Sequence, residues 1–315
     1  MPHGEIRLGR LLLLRSVVSL SLDRPPVRSQ SHMSEPTTTA RTYRVALVSD
    51  NTAGFSELLD DAQWRAENDV AFPLVVQITA QPARKRLRGI RAQTVRQARI
   101  NGTTVVHQFL SAIAYRLWLQ PSSADGHVTS VEGASVVEAT SANDERALAA
   151  IRHERVDAVV LLSADLLTAG SLEAMGAPVY NVHDGDPRHV RGRPPFLWDI
   201  IDGRDDTLIA FHEVEPAVDS GALIHSQRTP IMWSSGLRET LRECESNAAL
   251  VRIQVLREGL AALRAGVAPR STYAPGRLRT LPSFSHIYTA AQRCRQVARA
   301  TAGQNERAAE PVRPY

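Results

Sequence analysis

The strongest constraint on this chain is an alternation, from residue 44 to residue 182, of short apolar β-branched runs with stretches of helical period. The runs are 44–49 (RVALVS), 74–79 (LVVQIT), 135–139 (SVVEA), 158–162 (AVVLL) and 179–182 (VYNV). Between them, 83–100 and 104–119 repeat apolar residues at helical spacing, and Thr103 or Thr104 can cap the second. Asn143 can cap a helix reaching Glu154, and 166–175 suits a shorter one. Strands that are apolar on both faces need helices on both sides, so the expected fold is α/β, a doubly wound, mostly parallel sheet. Ligands of such sheets sit outside the carboxyl ends of the strands. Residues 163–166 and 181–186 follow two of the runs directly and should line that crevice.

Further along, 207–214 and 222–226 alternate like two more strands, with Asp219-Ser220-Gly221 as a turn between them. A helix opening at Ser235 or Gly236 is expected to run to about Ala265 and to use its apolar stripe for packing. After it, 272–284 reads as an extended connector, 288–300 as a short basic helix, and the polar residues from 302 as a disordered tail. At the other end, the apolar stretch 11–22 is interrupted by Arg15, lacks a small-x-small cleavage site and is too short for a membrane span. The division expected is therefore 1–40 as a disordered or spurious extension, 41–270 as the folded domain, and 271–315 as connector, helix and tail. Nothing from Arg41 onward should span a membrane.

Charge narrows the function classes. The net charge of +4 and pI near 9.4 would suit a nucleic-acid binder, but the excess of arginine lies at the ends. Residues 41–263 carry 23 basic and 28 acidic side chains, so the body is mildly acidic and nucleic acid is not its expected partner. The basic stretch 84–99 reads as a solvated helix face rather than an anion site. Cys244 and Cys294 have no ligand-like spacing, which argues against a disulfide scaffold or zinc site and favours a reducing, cytoplasmic compartment.

The chemistry concentrates in one irregular segment after the run at 179–182, rich in Asn, His, Asp and Arg. Asn181 and His183 are two apart, so both leave the same face of an extended chain and can address one ligand atom. Asp219, on its tight turn, could bring a carboxylate to that imidazole. Three chemistries suit these residue types. In acyl transfer, an amide and an imidazolium stabilise charge developing on a carbonyl oxygen while a carboxylate assists proton removal. In metal binding, His183, Asp184, Asp186 and His189 would hold a cation, with Asp184-Gly185-Asp186 like the DxD of a nucleotide-sugar glycosyltransferase, although Arg188 and Arg191 would oppose the cation. The third is a structural hydrogen-bond cluster.

At these residues the chain resembles the folate-dependent formyltransferase family, which includes glycinamide-ribotide, methionyl-tRNA and sugar-amine N-formyltransferases. The family's Asn-x-His, then Arg-Gly and Pro, matches Asn181, His183, Arg191-Gly192 and Pro195, and its later Gly, Thr and Asp-x-Gly match Gly203, Thr207 and Asp219-Ser220-Gly221. The step of 36 residues from His183 to Asp219 also agrees, and His212 fits a His found in many members. The resemblance is close over about 155–230 and otherwise limited to the strand–helix pattern.

The resemblance implies the donor 10-formyltetrahydrofolate, one-carbon chemistry and no metal. It makes Asn181, His183 and Asp219 catalytic: Asn181 on the formyl oxygen, His183 on the oxyanion, Asp219 keeping His183 charged and relaying the amine proton. It sets the folate against Ser163, Ala164, Asp165, Leu166 and Leu167 and against Glu213, Val214, Glu215, Pro216, Ala217 and Val218. Asp184, Gly185, Asp186, Arg188, Arg191 and Gly192 are assigned to substrate. Departures refine the acceptor. The family's Ser-Leu-Leu-Pro is replaced by Asp184-Gly185-Asp186-Pro187, and the Gly after the strand Thr by Leu208. Residues 49–54 lack the Gly-rich cradle of the glycinamide-ribotide enzymes, and the stretch after 270 is short for the β-barrel of the methionyl-tRNA enzymes. A small, sugar-linked amine is the expected acceptor, and a homodimer is allowed. The alternatives kept are a methionyl-tRNA formyltransferase-like enzyme, a formyltetrahydrofolate hydrolase, a metal-dependent glycosyltransferase and a non-catalytic folate-binding protein.

Overall fold

A computed structural model describes residues 41–79, 94–95, 98–99, 104–115, 119, 126, 128–162 and 166–309, all within one compact unit, Arg41–Tyr315. The extension expected over 1–40, most of the basic stretch 84–99 and residues 310–315 lie outside the described residues.

The strands are β1 (Tyr43–Ser49), β2 (Val70–Ile78), β3 (Ser135–Ala139), β4 (Ala158–Leu162), β5 (Val179–His183), β6 (Val190–Gly192), β7 (Asp206–Glu213), β8 (Leu223–Pro230) and β9 (Arg277–Arg279). Seven of them form one sheet in the order β3-β2-β1-β4-β5-β7-β8, while β6 and β9 pair separately. β1 to β5 pair in parallel, whereas β7 runs antiparallel to β5 and β8 antiparallel to β7. The sheet is thus mostly parallel, with its order reversing between β1 and β4 as in a doubly wound fold. The central runs Val45–Val48 and Ala158–Val160 are wholly excluded from solvent, which explains why they read as unbroken apolar sequence.

Alternation divides the interior into two clusters. Val45, Leu47, Val160, Tyr180, Val182 and Phe211 belong to one face; Ala46, Val48, Val159, Leu161 and Val179 belong to the other. Helices α1 (Ser56–Asp60), α2 (Ala62–Asn68) and α3 (Val105–Ala114) come first in the chain. Helices α4 (Glu145–Glu154) and α5 (Ala169–Met175) supply Leu148, Ile151 and Met175 to the second face, and α4 packs against β2 and β3. Helices α6 (Pro195–Asp202), α7 (Leu237–Arg264) and α8 (Phe284–Ala309) cover the first, through residues such as Leu197, Leu256 and Ala290. The second cluster takes no buried residue from β7. That part of the sheet is where polar side chains are concentrated.

Local chemistry accounts for several boundaries. Thr104 caps α3, its Oγ1 accepting from the His107 N–H at 3.2 Å. The cap of α4 is Asp144, not Asn143: Asp144 accepts from the Arg146 N–H at 3.0 Å, while Asn143 ties down the Leu166–Thr168 loop. Helix α6 was not expected, because its eight residues follow an irregular proline-rich loop and are too short to show a clear period; Pro195 stands in its first turn, where a missing N–H costs nothing. The connector contains β9, and the closing helix runs Phe284–Ala309 rather than 288–300. Among the described residues, no helix is long and apolar enough to cross a membrane.

Helix α7 approaches the sheet closely at Gly259, where an added Cβ would lie 2.3 Å from the ring of the fully buried Phe211. Gly259→Ala should therefore lower stability by about 1–3 kcal/mol through overpacking, despite alanine's better helix propensity. Denaturant unfolding checks this; an unchanged or raised midpoint would show that α7 can move off β7 freely.

Candidate functional site

Strand register, more than loop geometry, assembles the site. Asn181 and His183 lie two apart on β5, on the face that carries Val179, and Asn181 is directly opposite His212 in the antiparallel β5–β7 pair. Three polar side chains therefore meet on a sheet face to whose buried apolar cluster β7 contributes no residue. The Asn181 amide nitrogen lies 3.4 Å from His212 Nε2. His212 Nδ1 lies 2.7 Å from the Glu213 carbonyl and must donate to it, which leaves Nε2 of the neutral ring free to accept from Asn181. Burial lowers the His212 pKa, with the Asp219 charge opposing and His183 adding to the fall, so the neutral form is favoured.

Asp219 completes the group. Its carboxylate reaches both rings, with Oδ2 3.7 Å from His183 Nδ1 and Oδ1 3.7 Å from His212 Nε2. Both distances are longer than a hydrogen bond. Oδ2 also accepts the Gly192 N–H at 2.9 Å. Burial works to raise the Asp219 pKa, but His183, His212, the Gly192 N–H and Arg193 together hold it below its ordinary value. Asp219 has φ of +46°, a left-handed conformation that Asp tolerates better than most residues. Gly192 has φ of +96°, and a Cβ there would lie 2.1 Å from the Arg279 carbonyl oxygen, so only glycine can present this N–H.

His183 is only 7% exposed, and while Nδ1 faces Asp219, its Nε2 is buried with no hydrogen-bond partner. A buried unpaired ring nitrogen is costly unless a ligand meets it.

Most of the residues assigned to substrate have partners within the protein. Asp184 is clamped bidentately by Arg252 of α7, at 2.7 and 2.8 Å, and Asp186 likewise by Arg188, at 2.7 Å for both bonds. Gly185 is buried beside them. Each carboxylate of Asp184-Gly185-Asp186 thus faces a guanidinium, and among the described residues no group of three or more His, Cys, Asp or Glu is placed to hold a metal. Arg191 laces three segments together, donating to the Gly276 and Val218 carbonyls at 2.8 and 3.1 Å. Gly192 serves Asp219. Of the group, Arg188 alone has its side chain well exposed, at 43%.

Of the two stretches assigned to folate, Ser163, Ala164 and Asp165 lie outside the described residues. Leu166 is exposed and its carbonyl accepts from Asn143. Leu167 and Val214, one from each stretch, pack against the same core cluster, while Glu215, Pro216 and Ala217 are exposed and Glu213 and Val218 half-buried.

Sequence reasoning missed the second carboxylate nearby. Asp199 of α6 is fully buried, accepts from the Thr207 hydroxyl at 2.5 Å, and lies 3.6 Å from Arg204 Nε. Burial pushes its pKa up to about 6 against the pull of Thr207, Arg204 and His183. Its signal, an Asp inside the apolar run FLWDII, is visible in the sequence only once α6 is recognised.

No protein-family model matches the chain. In sequence it is 29% identical over 138 residues to a methionyl-tRNA formyltransferase of Xanthomonas oryzae, covering 44% of each chain. It is also 29% identical over 165 residues to that of Methylobacillus flagellatus, covering 51% of this chain and 48% of the relative. The matches thus span about half the length of these curated relatives. In fold it is similar to a sugar N-formyltransferase from Shewanella, with a TM-score of 0.51, 16% identity, and coverage of 81% of this chain and 88% of the other. The likeness to formyltransferases read from the motif therefore holds in sequence and in fold.

The raised Asp199 pKa means the folded state favours its protonated form. Its contribution to stability is full below the ordinary carboxyl range, about 4, and is lost as the pH rises through about 6, by up to about 3 kcal/mol. Asp199→Asn should remove that loss. Thermal unfolding of both proteins between pH 4 and 8 checks it, and parallel curves would contradict it.

Proposed function

We propose that this relative of the formyltransferases is itself an N-formyltransferase, acting in the cytoplasm to move a formyl group from 10-formyltetrahydrofolate to the amine of a small, sugar-linked acceptor. The observation that carries the proposal is the carboxylate of Asp219 at 3.7 Å from His183 Nδ1, with His183 Nε2 on the other side of the ring buried and unpartnered. An imidazole held in this way offers one N–H toward a charge that develops only during reaction.

The donor, when bound, supplies an activated formyl carbon. Its fit rests on the unpaired His183 Nε2 and on the two stretches, Leu166–Leu167 and Glu213–Val218, whose Leu167 and Val214 pack on one cluster and would hold its ring system. His183 Nε2 and the Asn181 amide donate to the formyl oxygen as negative charge gathers there. Neutral His212 fixes the Asn181 amide through their 3.4 Å contact, so that its second N–H remains for the ligand. As the amine attacks and the new C–N bond forms, Asp219 takes up its proton and passes it to the departing folate nitrogen. Ionised Asp219 also stabilises charge on His183. The depressed pKa of Asp219 keeps it ready as a base at neutral pH.

The reading of a sugar-linked acceptor draws on the likeness in fold to a sugar N-formyltransferase. Asp184 and Asp186, locked to Arg252 and Arg188, shape the floor of the acceptor side rather than bind the amine. Incubating the protein with 10-formyltetrahydrofolate and a panel of amino sugars, free and nucleotide-linked, should yield a formylated product and tetrahydrofolate. His183→Ala and Asp219→Ala should each lower kcat by about 100-fold or more, with folded stability largely retained. Formate released without any amine would instead indicate a hydrolase, and full turnover in either variant would remove that residue from the mechanism.

A further inference from the structure

The connector after α7 is tied to the turn that carries Asp219. Ser271 and Leu223 exchange backbone hydrogen bonds at 3.0 and 2.9 Å, which starts the connector beside that turn. Gly276 N–H then donates to the Pro187 carbonyl at 2.8 Å, and the Gly276 carbonyl accepts Arg191, whose other arm holds the Val218 carbonyl. Between these two anchors the Tyr273 hydroxyl donates to the Asp219 backbone carbonyl at 3.3 Å.

We infer that Tyr273, 54 residues from Asp219 in the chain, is a positioning residue for that carboxylate, and that the connector is thereby part of the active site. The inference rests on the proposed role of Asp219, and its physical reason is the backbone of the turn. Asp219 sits at φ of +46°, away from the conformations its type prefers, and its carboxylate must reach two rings and one N–H at once. Rotation of the turn by a small angle would swing the carboxylate away from all three. A donor gripping the carbonyl of Asp219 itself resists that rotation, while Arg191 grips the carbonyl before it.

The phenol can serve throughout the working range. Burial, and after it the negative charge of Asp219, pushes the Tyr273 pKa up to about 12, with Arg191 opposing and Glu215 and Asp186 adding smaller upward pushes. It stays a donor. The groups that face the Asp219 carboxylate are His183 from β5, His212 from β7, the Gly192 N–H from β6 and the Arg193 guanidinium before α6. Loss of the Tyr273 anchor should loosen the carboxylate from these partners and raise its pKa toward the ordinary range.

The test compares the wild-type protein with Tyr273→Phe, using Tyr288→Phe, a change at an exposed tyrosine, as control. One arm follows the Asp219 carboxyl carbon by 13C NMR across acidic pH, assigned with Asp219→Asn. The other follows formyl transfer against pH. Tyr273→Phe should raise the Asp219 titration midpoint, move the acid limb of kcat to higher pH, and lower kcat by about 3- to 10-fold with KM for the donor little changed, the range expected for one lost hydrogen bond. Tyr288→Phe should move none of these. A Tyr273→Phe protein that merely melts earlier, with titration and pH profile unmoved, would overturn the inference, as would one identical to wild type. Should no amine be formylated by the wild-type protein, the proposed function fails, yet the titration arm still decides whether Tyr273 positions Asp219.

Discussion

A carboxylate taken out of water keeps its charge only where cations or N–H groups face it, and Asp219 is met by the His183 imidazole, the Gly192 N–H and the nearby Arg193 guanidinium. That single arrangement accounts for much of the surrounding structure. It needs β5 and β7 antiparallel and in a register that opposes Asn181 to His212, so that a strand pair supplies three polar side chains from one sheet face. It needs a glycine at 192, since the N–H that reaches Asp219 sits where any Cβ would strike Arg279. It also needs the 214–222 loop to return over the sheet, which Arg191 secures by holding Val218.

The two faces of the sheet share the labour differently. The face under α6, α7 and α8 holds the larger cluster, and a buried acid of α6, Asp199, is tolerated by a hydroxyl and a guanidinium at the cost of a raised pKa. The other face is dry under α4 and α5 and turns polar at β5 and β7. Apolar packing therefore ends where the polar cluster begins, and the strand pair at that border can hold side chains more exactingly than a loop could. The paired charges of Asp184 with Arg252 and Asp186 with Arg188 extend this rigidity into the loop after His183, joining it to α7 and fixing its own turn.

Much of this was legible in the sequence, for physical reasons. Runs such as RVALVS and AVVLL are buried on both faces, so composition alone marks them as central strands. The two-residue spacing of Asn181 and His183 fixes their common face through the pleat, whatever the fold around them. Less legible were features decided by tertiary partners. Asp184 read as a ligand-facing acid because its partner, Arg252, lies 68 residues away on α7, and nothing local announces their bidentate bonds. Helix α6 hid behind a proline-rich loop, and with it Asp199. The cap of α4 shifted by one residue because Asn143 found better partners in the Leu166–Thr168 loop. Tyr273 lay in a segment that looked like a mere connector, and the Ser271–Leu223 exchange and the Gly276 contacts on either side of it bring it to the turn.

The account comes down to where a formyl group sits. A crystal structure of the protein with 5-formyltetrahydrofolate, a stable analogue of the proposed donor, tests that directly. The account predicts the pterin held between the stretches ending at Leu167 and beginning at Glu213, with His183 Nε2 within hydrogen-bond reach of the reacting position and Asp219 still facing Nδ1. An analogue bound elsewhere, or His183 Nε2 turned to a partner within the protein, would contradict it.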